Sequence, residues 1–216
     1  MKKTILTLTM FLLLQLNLYS QQDDRKNSIS VNVTSLISFY YSNIDLGYQY
    51  DFGKRISLEI GAGYITPKSF IETEEVGKFE NNGYSFRIEP KLGLYRFEDS
   101  DISLEIFTSI KYFYTKHDYT SKRYVETIQS DIISYSVKSK INSGNLLLGI
   151  KSIKGIFYFE FSTGYGIRDI EIINDSTIPI DNYSDQLRWI PAWNPEDNGK
   201  HSKPTIPFNA KFGIRF

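Results

Sequence analysis

The chain has 216 residues, 15% of them aromatic, and its 25 Lys plus Arg balance 25 Asp plus Glu. A formal charge of zero gives no global field of the kind that draws a protein onto nucleic acid. With no cysteine, disulfides, zinc–thiolate centres, thiol nucleophiles and a lipidated-cysteine anchor are excluded.

Residues 1–20, MKKTILTLTMFLLLQLNLYS, open with Lys2 and Lys3, continue through an apolar run from Ile5 to Leu14, and reach Leu18-Tyr19-Ser20. This order reads as a secretory signal peptide cut before Gln21, too short for a spanning helix. Residues 21–216 are then a single exported domain. No later apolar run is long enough for a membrane helix.

From there the chain alternates with a period of two, the signature of strands with one apolar face. The first segment carries Ile29, Val31 and Val33, then Ile37, Phe39 and Tyr41. The second has Ile44, Leu46, Tyr48, Tyr50 and Phe52, against Asp45, Gly47, Gln49 and Asp51. The third has Ile56, Leu58, Ile60, Ala62 and Tyr64, against Ser57, Glu59, Gly61 and Gly63. The fourth runs Tyr84 to Leu94 on even positions, opposite Ser85, Arg87, Glu89, Lys91 and Gly93. The fifth runs Ile102 to Tyr114, opposite Ser103, Glu105, Ser109 and Lys111. A weaker sixth has Leu146, Leu148 and Ile150 against Asn145, Gly149 and Lys151. The seventh has Phe157, Phe159, Phe161, Tyr165 and Ile167 against Tyr158, Glu160 and Ser162. The eighth has Phe208, Ala210, Phe212, Ile214 and Phe216 against Asn209, Lys211, Gly213 and Arg215.

The connections alternate between tight and long. Gly53-Lys54-Arg55 fits a three-residue hairpin loop pairing Phe52 with Ile56, and Lys154-Gly155 fits a two-residue turn pairing Ile153 with Ile156. Residues 97–101 join segments four and five. Residues 67–82, 116–144 and 168–203 read as long polar loops. Within the second of these, Ser134 to Lys138 still alternates, on a parity opposite to Leu146, which predicts an external hairpin with a bulge near Gly144. Tight turns at one end and long loops at the other fit an even-stranded transmembrane barrel, with short periplasmic turns and long external loops. Periodicity alone also fits a soluble sandwich or a lipocalin-like barrel, whose apolar faces point inward. Aromatics near segment ends match interfacial girdles and favour the membrane form. The predicted fold is an all-β, eight-stranded antiparallel up-and-down transmembrane barrel.

With its alternate apolar positions and closing aromatic, the segment Phe208, Ala210, Phe212, Ile214, Phe216 resembles the last strand of the small outer-membrane β-barrels of Gram-negative bacteria, the family of the OmpA membrane domain and OmpX. The resemblance spans the whole mature chain. It implies export to the outer membrane, a lipid bilayer as surroundings, and a final strand read by the barrel-assembly machinery as an insertion signal. The last strand ends at Phe216, so a peptidoglycan tether of the kind fused to some relatives is not expected.

If the polar faces point inward, the lumen gathers Asp45, Asp51, Glu59, Glu89, Glu105 and Glu160 with Arg87, Lys91, Lys111, Lys151, Lys211 and Arg215. Six acids meet six bases, so the expected lumen is neutral and filled by a salt-bridge network, with Glu105 and Lys111 as a buried pair. Glycines on that face, Gly47 and Gly61 among them, either leave room for long charged neighbours or mark strand bends.

Chemistry is sparse. His117 and His201 fall in predicted loops with no metal spacing. Gly61-Ala62-Gly63 and Gly164-Tyr165-Gly166 lack the following helix of a nucleotide motif. Asp175, Asp181, Asp185, Glu196 and Asp197 lack the spacing of a calcium loop. No catalytic residue, cofactor or metal site is expected, and the chain is not read as an enzyme. Trp189 and Trp193 are either interface anchors or contacts for an external ligand. The expected role is a monomeric barrel whose loops bind an unknown ligand or shield the surface, with a small channel as the alternative and a lipid-modifying enzyme behind it.

Overall fold

Strands dominate because apolar and polar residues alternate through each of the eight segments. The computed structural model describes residues 26–36, 43–66, 77–98, 102–124, 132–176 and 198–216. The strands are β1 (Asn27–Asn32), β2 (Asn43–Asp51), β3 (Ile56–Ile65), β4 (Gly77–Glu98), β5 (Ser103–Tyr124), β6 (Ile132–Lys154), β7 (Phe157–Asn174), β8 (Gly199–Thr205) and β9 (Phe208–Arg215), with one helical turn, α1 (Val33–Leu36), after β1. Each strand from β1 to β7 pairs antiparallel with the next, and β9 pairs with both β7 and β1, so the sheet closes on itself. Gly166 pairs with Thr205 of β8 and Thr163 with Phe208 of β9. These two strands are therefore one stave in a single register, interrupted at Ile206-Pro207, where proline has no N–H for a ladder. The result is the closed eight-stranded up-and-down barrel that the alternation predicts.

The short turns agree in part with the sequence. Phe52 N–H donates to the Ile56 carbonyl at 2.9 Å across Gly53-Lys54-Arg55. At the hairpin between β6 and β7 the register moves by one: Lys154 pairs with Phe157 and Ile153 with Tyr158, leaving Gly155-Ile156 as the loop. Cross-strand partners share a face, and exposed Lys154 and Phe157 do so, whereas buried Ile153 and exposed Ile156 do not. Gly155 at the first loop position has φ +61°, a value that primed hairpin turns require.

The long connections are shorter than predicted. β4 begins at Gly77, β5 reaches Tyr124, β6 starts at Ile132, β7 extends to Asn174 and β8 begins at Gly199. Much of 67–82, 116–144 and 168–203 is therefore strand, and within the second of these β5 and β6 continue as the hairpin that the alternation of Ser134 to Lys138 predicts. No bulge occurs near Gly144: β6 keeps one register with β5 and β7 throughout. The bulges lie instead in β4, between Phe79 and Asn82 and between Gly93 and Tyr95. The first holds Glu80 at φ 53°. Residues 1–25, Ile37, Phe39, Tyr41, residues 99–101, Trp189 and Trp193, and Asp181, Asp185, Glu196 and Asp197 lie outside the described residues.

The two faces of the barrel are inverted relative to a water-soluble barrel. Outward positions carry Leu46, Ile60, Phe86, Ile110, Leu146, Leu148 and Phe161, all exposed, while Asp45, Glu59, Arg87, Glu89, Lys91, Glu160 and Lys211 are buried inside. Toward the long-connection ends of β5, β6 and β7 the interior changes. There Tyr119, Tyr135, Val137, Ile141, Ile170 and Ile172 form a buried apolar cluster.

Candidate functional site: the ionic lumen

Strand parity brings seven of the twelve predicted lumen charges into one connected cluster. Arg87 on β4 holds Asp45 of β2 through Nε, at 3.1 Å to Oδ1 and 3.0 Å to Oδ2, and Glu59 of β3 through Nη1. Lys91, two inward positions along β4, reaches Glu59 Oε2 at 2.7 Å and Glu160 Oε2 of β7 at 2.6 Å. Lys211 on β9 contacts three carboxylates: Glu59 at 2.9 Å, Glu89 at 2.8 Å and Glu160 at 3.1 Å. Its side chain and those of Glu59 and Glu89 are 0% exposed.

Neutral groups add to the shell. Ser109 Oγ donates to Glu89 at 2.8 Å, Asn32 Nδ2 to Asp45 at 3.3 Å, and Lys91 Nζ to Gln49 Oε1 at 3.0 Å. Burying ions costs several kcal/mol each unless opposite charges and hydrogen bonds surround them. Here each carboxylate of the cluster meets at least one cation. Room for the guanidinium comes from glycine: a Cβ at Gly61 would lie 2.6 Å from Arg87 Nε and 2.7 Å from its Cζ. Of the two explanations open for these glycines, space for a long neighbour holds at this position.

The other five predicted charges are arranged differently. Arg215 and Asp51 approach at 3.8 Å near the short-turn end. Lys111 and Glu105 do not pair. Lys111 Nζ donates to Asn209 Oδ1 at 2.6 Å, and half-buried Glu105 stands opposite Lys151 on β6. Their separation along β5 keeps Glu105 and Lys111 about 20 Å apart at the backbone, and Lys111 extends across the lumen instead. Lys151 Nζ sits 4.3 Å from the Tyr158 ring centroid and Lys91 Nζ 5.2 Å from that of Phe107. These two inward aromatics occupy space that Gly149 and Gly213 leave open. Alternation does not single out Phe107 as a lumen residue, because it is apolar on a polar face; the small residue opposite it, Gly149, is the signal that points to it.

His117 is also placed differently from expectation. It lies inside β5, 1% exposed, its ring stacked on Tyr119 at 4.8 Å. His201 lies in β8. No group of three or more His, Cys, Asp or Glu among the described residues is disposed to hold a metal ion, and the space between Glu59, Glu89 and Glu160 is filled by the Lys211 ammonium. The residues of the predicted insertion signal all lie on β9 or just after it. Phe208, Phe212, Ile214 and Phe216 are exposed on the outer face, and Ala210 is half-buried.

Comparison with protein-family models, curated proteins and solved structures found no match to this chain.

Proposed function

We propose that this protein is an integral β-barrel of a Gram-negative outer membrane, reached after signal-peptide-directed export. Its lumen is closed by paired side chains, and its external connections bind a ligand or shield the cell surface. The observation that carries this reading is the inversion of the barrel: ions are buried inside and large apolar side chains cover the outside. In water such a surface far exceeds the apolar patch of an ordinary soluble protein, whereas in hydrocarbon each such side chain gains about 1.5–3 kcal/mol. No helix of the described residues is long and apolar enough to cross a membrane, and closed strands are the other structure that satisfies its backbone there. On β7 the outward apolar run Phe157 to Ile167 matches the about 9–11 residues a tilted strand needs to cross hydrocarbon.

The lumen supports a closed barrel over a conduit, since the Lys211 cluster and the Phe107–Tyr158 aromatics occupy its cross-section. The outward Phe208, Phe212, Ile214 and Phe216 support an interaction of this strand with an assembly machinery. Electrophoresis and fractionation test the reading together. Unboiled and boiled samples should migrate differently on SDS gels, and the protein should fractionate with outer membranes. A soluble periplasmic pool with ordinary migration would overturn the proposal, and large stable currents in planar bilayers would favour the conduit.

A further inference from the structure

One row of outward side chains sets two lysines opposite each other across a ladder. The register sets Tyr64 opposite Tyr84, Tyr84 opposite Lys116, Lys116 opposite Lys140, and Lys140 opposite Glu171. Two lysines thus stand directly opposite across the β5–β6 ladder, where like charges cost energy without a counter-ion. Lys140 meets Glu171 at 3.7 Å, with both side chains nearly half exposed, a pair of little worth. Asp118 stands opposite Lys138 and Asp169 opposite Asn142. Among the described residues no carboxylate lies within ion-pair distance of Lys116.

Tyrosines gather beside and beneath this pair: Tyr84 stands opposite Lys116, and Tyr114 and Tyr112 follow on the same face of β5. Tyr84 and Tyr114 have ring centroids 6.3 Å apart, and the Tyr112 hydroxyl donates to Asn142 Oδ1 at 2.8 Å. Below them the same strands present Ile110, Leu146 and Leu148, each more than half exposed.

We propose that Lys116 and Lys140, with Tyr84, Tyr112 and Tyr114, form a docking surface for the headgroup of an anionic, phosphate-bearing lipid. Phosphate oxygens bridge the two ammonium groups by charge-assisted hydrogen bonds. The tyrosine rings line the interfacial part of the lipid, and the acyl chains lie along Ile110, Leu146 and Leu148. The continuity of the cationic row with an apolar wall selects a lipid over a free phosphate ion. The inference rests on the membrane reading above.

Native mass spectrometry of the full chain from maltoside micelles, with chain-matched phosphatidic acid, phosphatidylcholine and diacylglycerol as probes, tests it. The protein should prefer phosphatidic acid over phosphatidylcholine by about tenfold, as expected for charge-assisted contacts to a phosphomonoester. The double variant Lys116→Gln/Lys140→Gln should lose that preference, and the single variant Lys116→Gln should lose most of it. Lys54→Gln/Lys154→Gln, at the opposite end of the barrel, should keep it, and a heat-modifiable gel shift reports folding of each variant. A wild-type protein without the preference, a Lys116→Gln protein that retains it in full, or displacement by millimolar inorganic phosphate would overturn the proposal. Equal binding of all three lipids would overturn it too while leaving the membrane reading standing. A chain that stays dispersed without detergent and takes up none of them would defeat that reading itself.

Discussion

The outward face of β6 changes from apolar to polar within one unbroken register, while its inward face near the short turn carries charge among apolar Leu147 and Ile153. In the half nearer the short turn, inward Lys151 and Asn145 face outward Ile150, Leu148 and Leu146. In the half nearer the long connection, inward Tyr135, Val137 and Ile141 face outward Ser134, Ser136, Lys138 and Lys140. β5 and β7 change in the same way: outward Ile110 and Tyr112 give way to Lys116 and Asp118, and outward Tyr165 and Ile167 to Asp169 and Glu171. A strand has no polarity of its own. Each face takes the character of what it meets, and the change of character marks where the outer surroundings turn from hydrocarbon to water on the proposed reading.

The largest test of this contrast removes an ion from the interior of the ionic half. Glu59→Ala strips Arg87, Lys91 and Lys211 of a shared carboxylate, and leaving buried charge uncompensated should cost about 3–5 kcal/mol. Urea unfolding of the reconstituted barrel measures it, and a change below about 1 kcal/mol, the worth of an exposed pair, would mean a hydrated lumen. Next in size is a charge on the outer face. Leu148→Arg, near the middle of the apolar run, should cost about 2–4 kcal/mol in a bilayer. Ser136→Arg, farther along the same face of the same strand, should stay within about 0.5 kcal/mol. Equal costs at the two sites would dissolve the boundary between the halves. Smaller still is Gly61→Ala, where the new methyl must displace the Arg87 guanidinium. Overpacking of this kind costs about 1–3 kcal/mol, and Gly155→Ala, which meets strain at φ +61° but no neighbour within 4 Å, separates backbone strain from crowding.

The same contrast explains how much is readable from residues alone. Period two assigns side chains to faces, so the eight staves and the inward parity of the lumen charges are legible. It does not say which solvent each face meets. Ser134 to Lys138, alternating on the opposite parity to Leu146, therefore suggests a bulge near Gly144, whereas the ladder keeps its register and the environment changes. Partner choice across the lumen is equally hidden. Lys111 bonds to Asn209 at a sequence separation of 98, set by barrel closure, and no local spacing encodes it. Loop lengths are overestimated because polar outward residues such as Asp169 and Glu171 look like loop when a lipid-facing strand is sought.

Lys211 has a bearing on how the barrel comes to exist. It reaches Glu59 and Glu89 over sequence separations of 152 and 122, and it sits on β9, which joins β1 across nearly the whole chain. Contacts of such separation carry the greatest loop-closure entropy and form late, after neighbouring hairpins have zipped. A sheet that has assembled β2 to β7 without β9 therefore holds Glu59, Glu89 and Glu160 short of one cation. Arrival of the last stave relieves that imbalance at the moment the seam closes, so a mispaired final strand, displaced by even one residue, turns Lys211 outward and forfeits the relief.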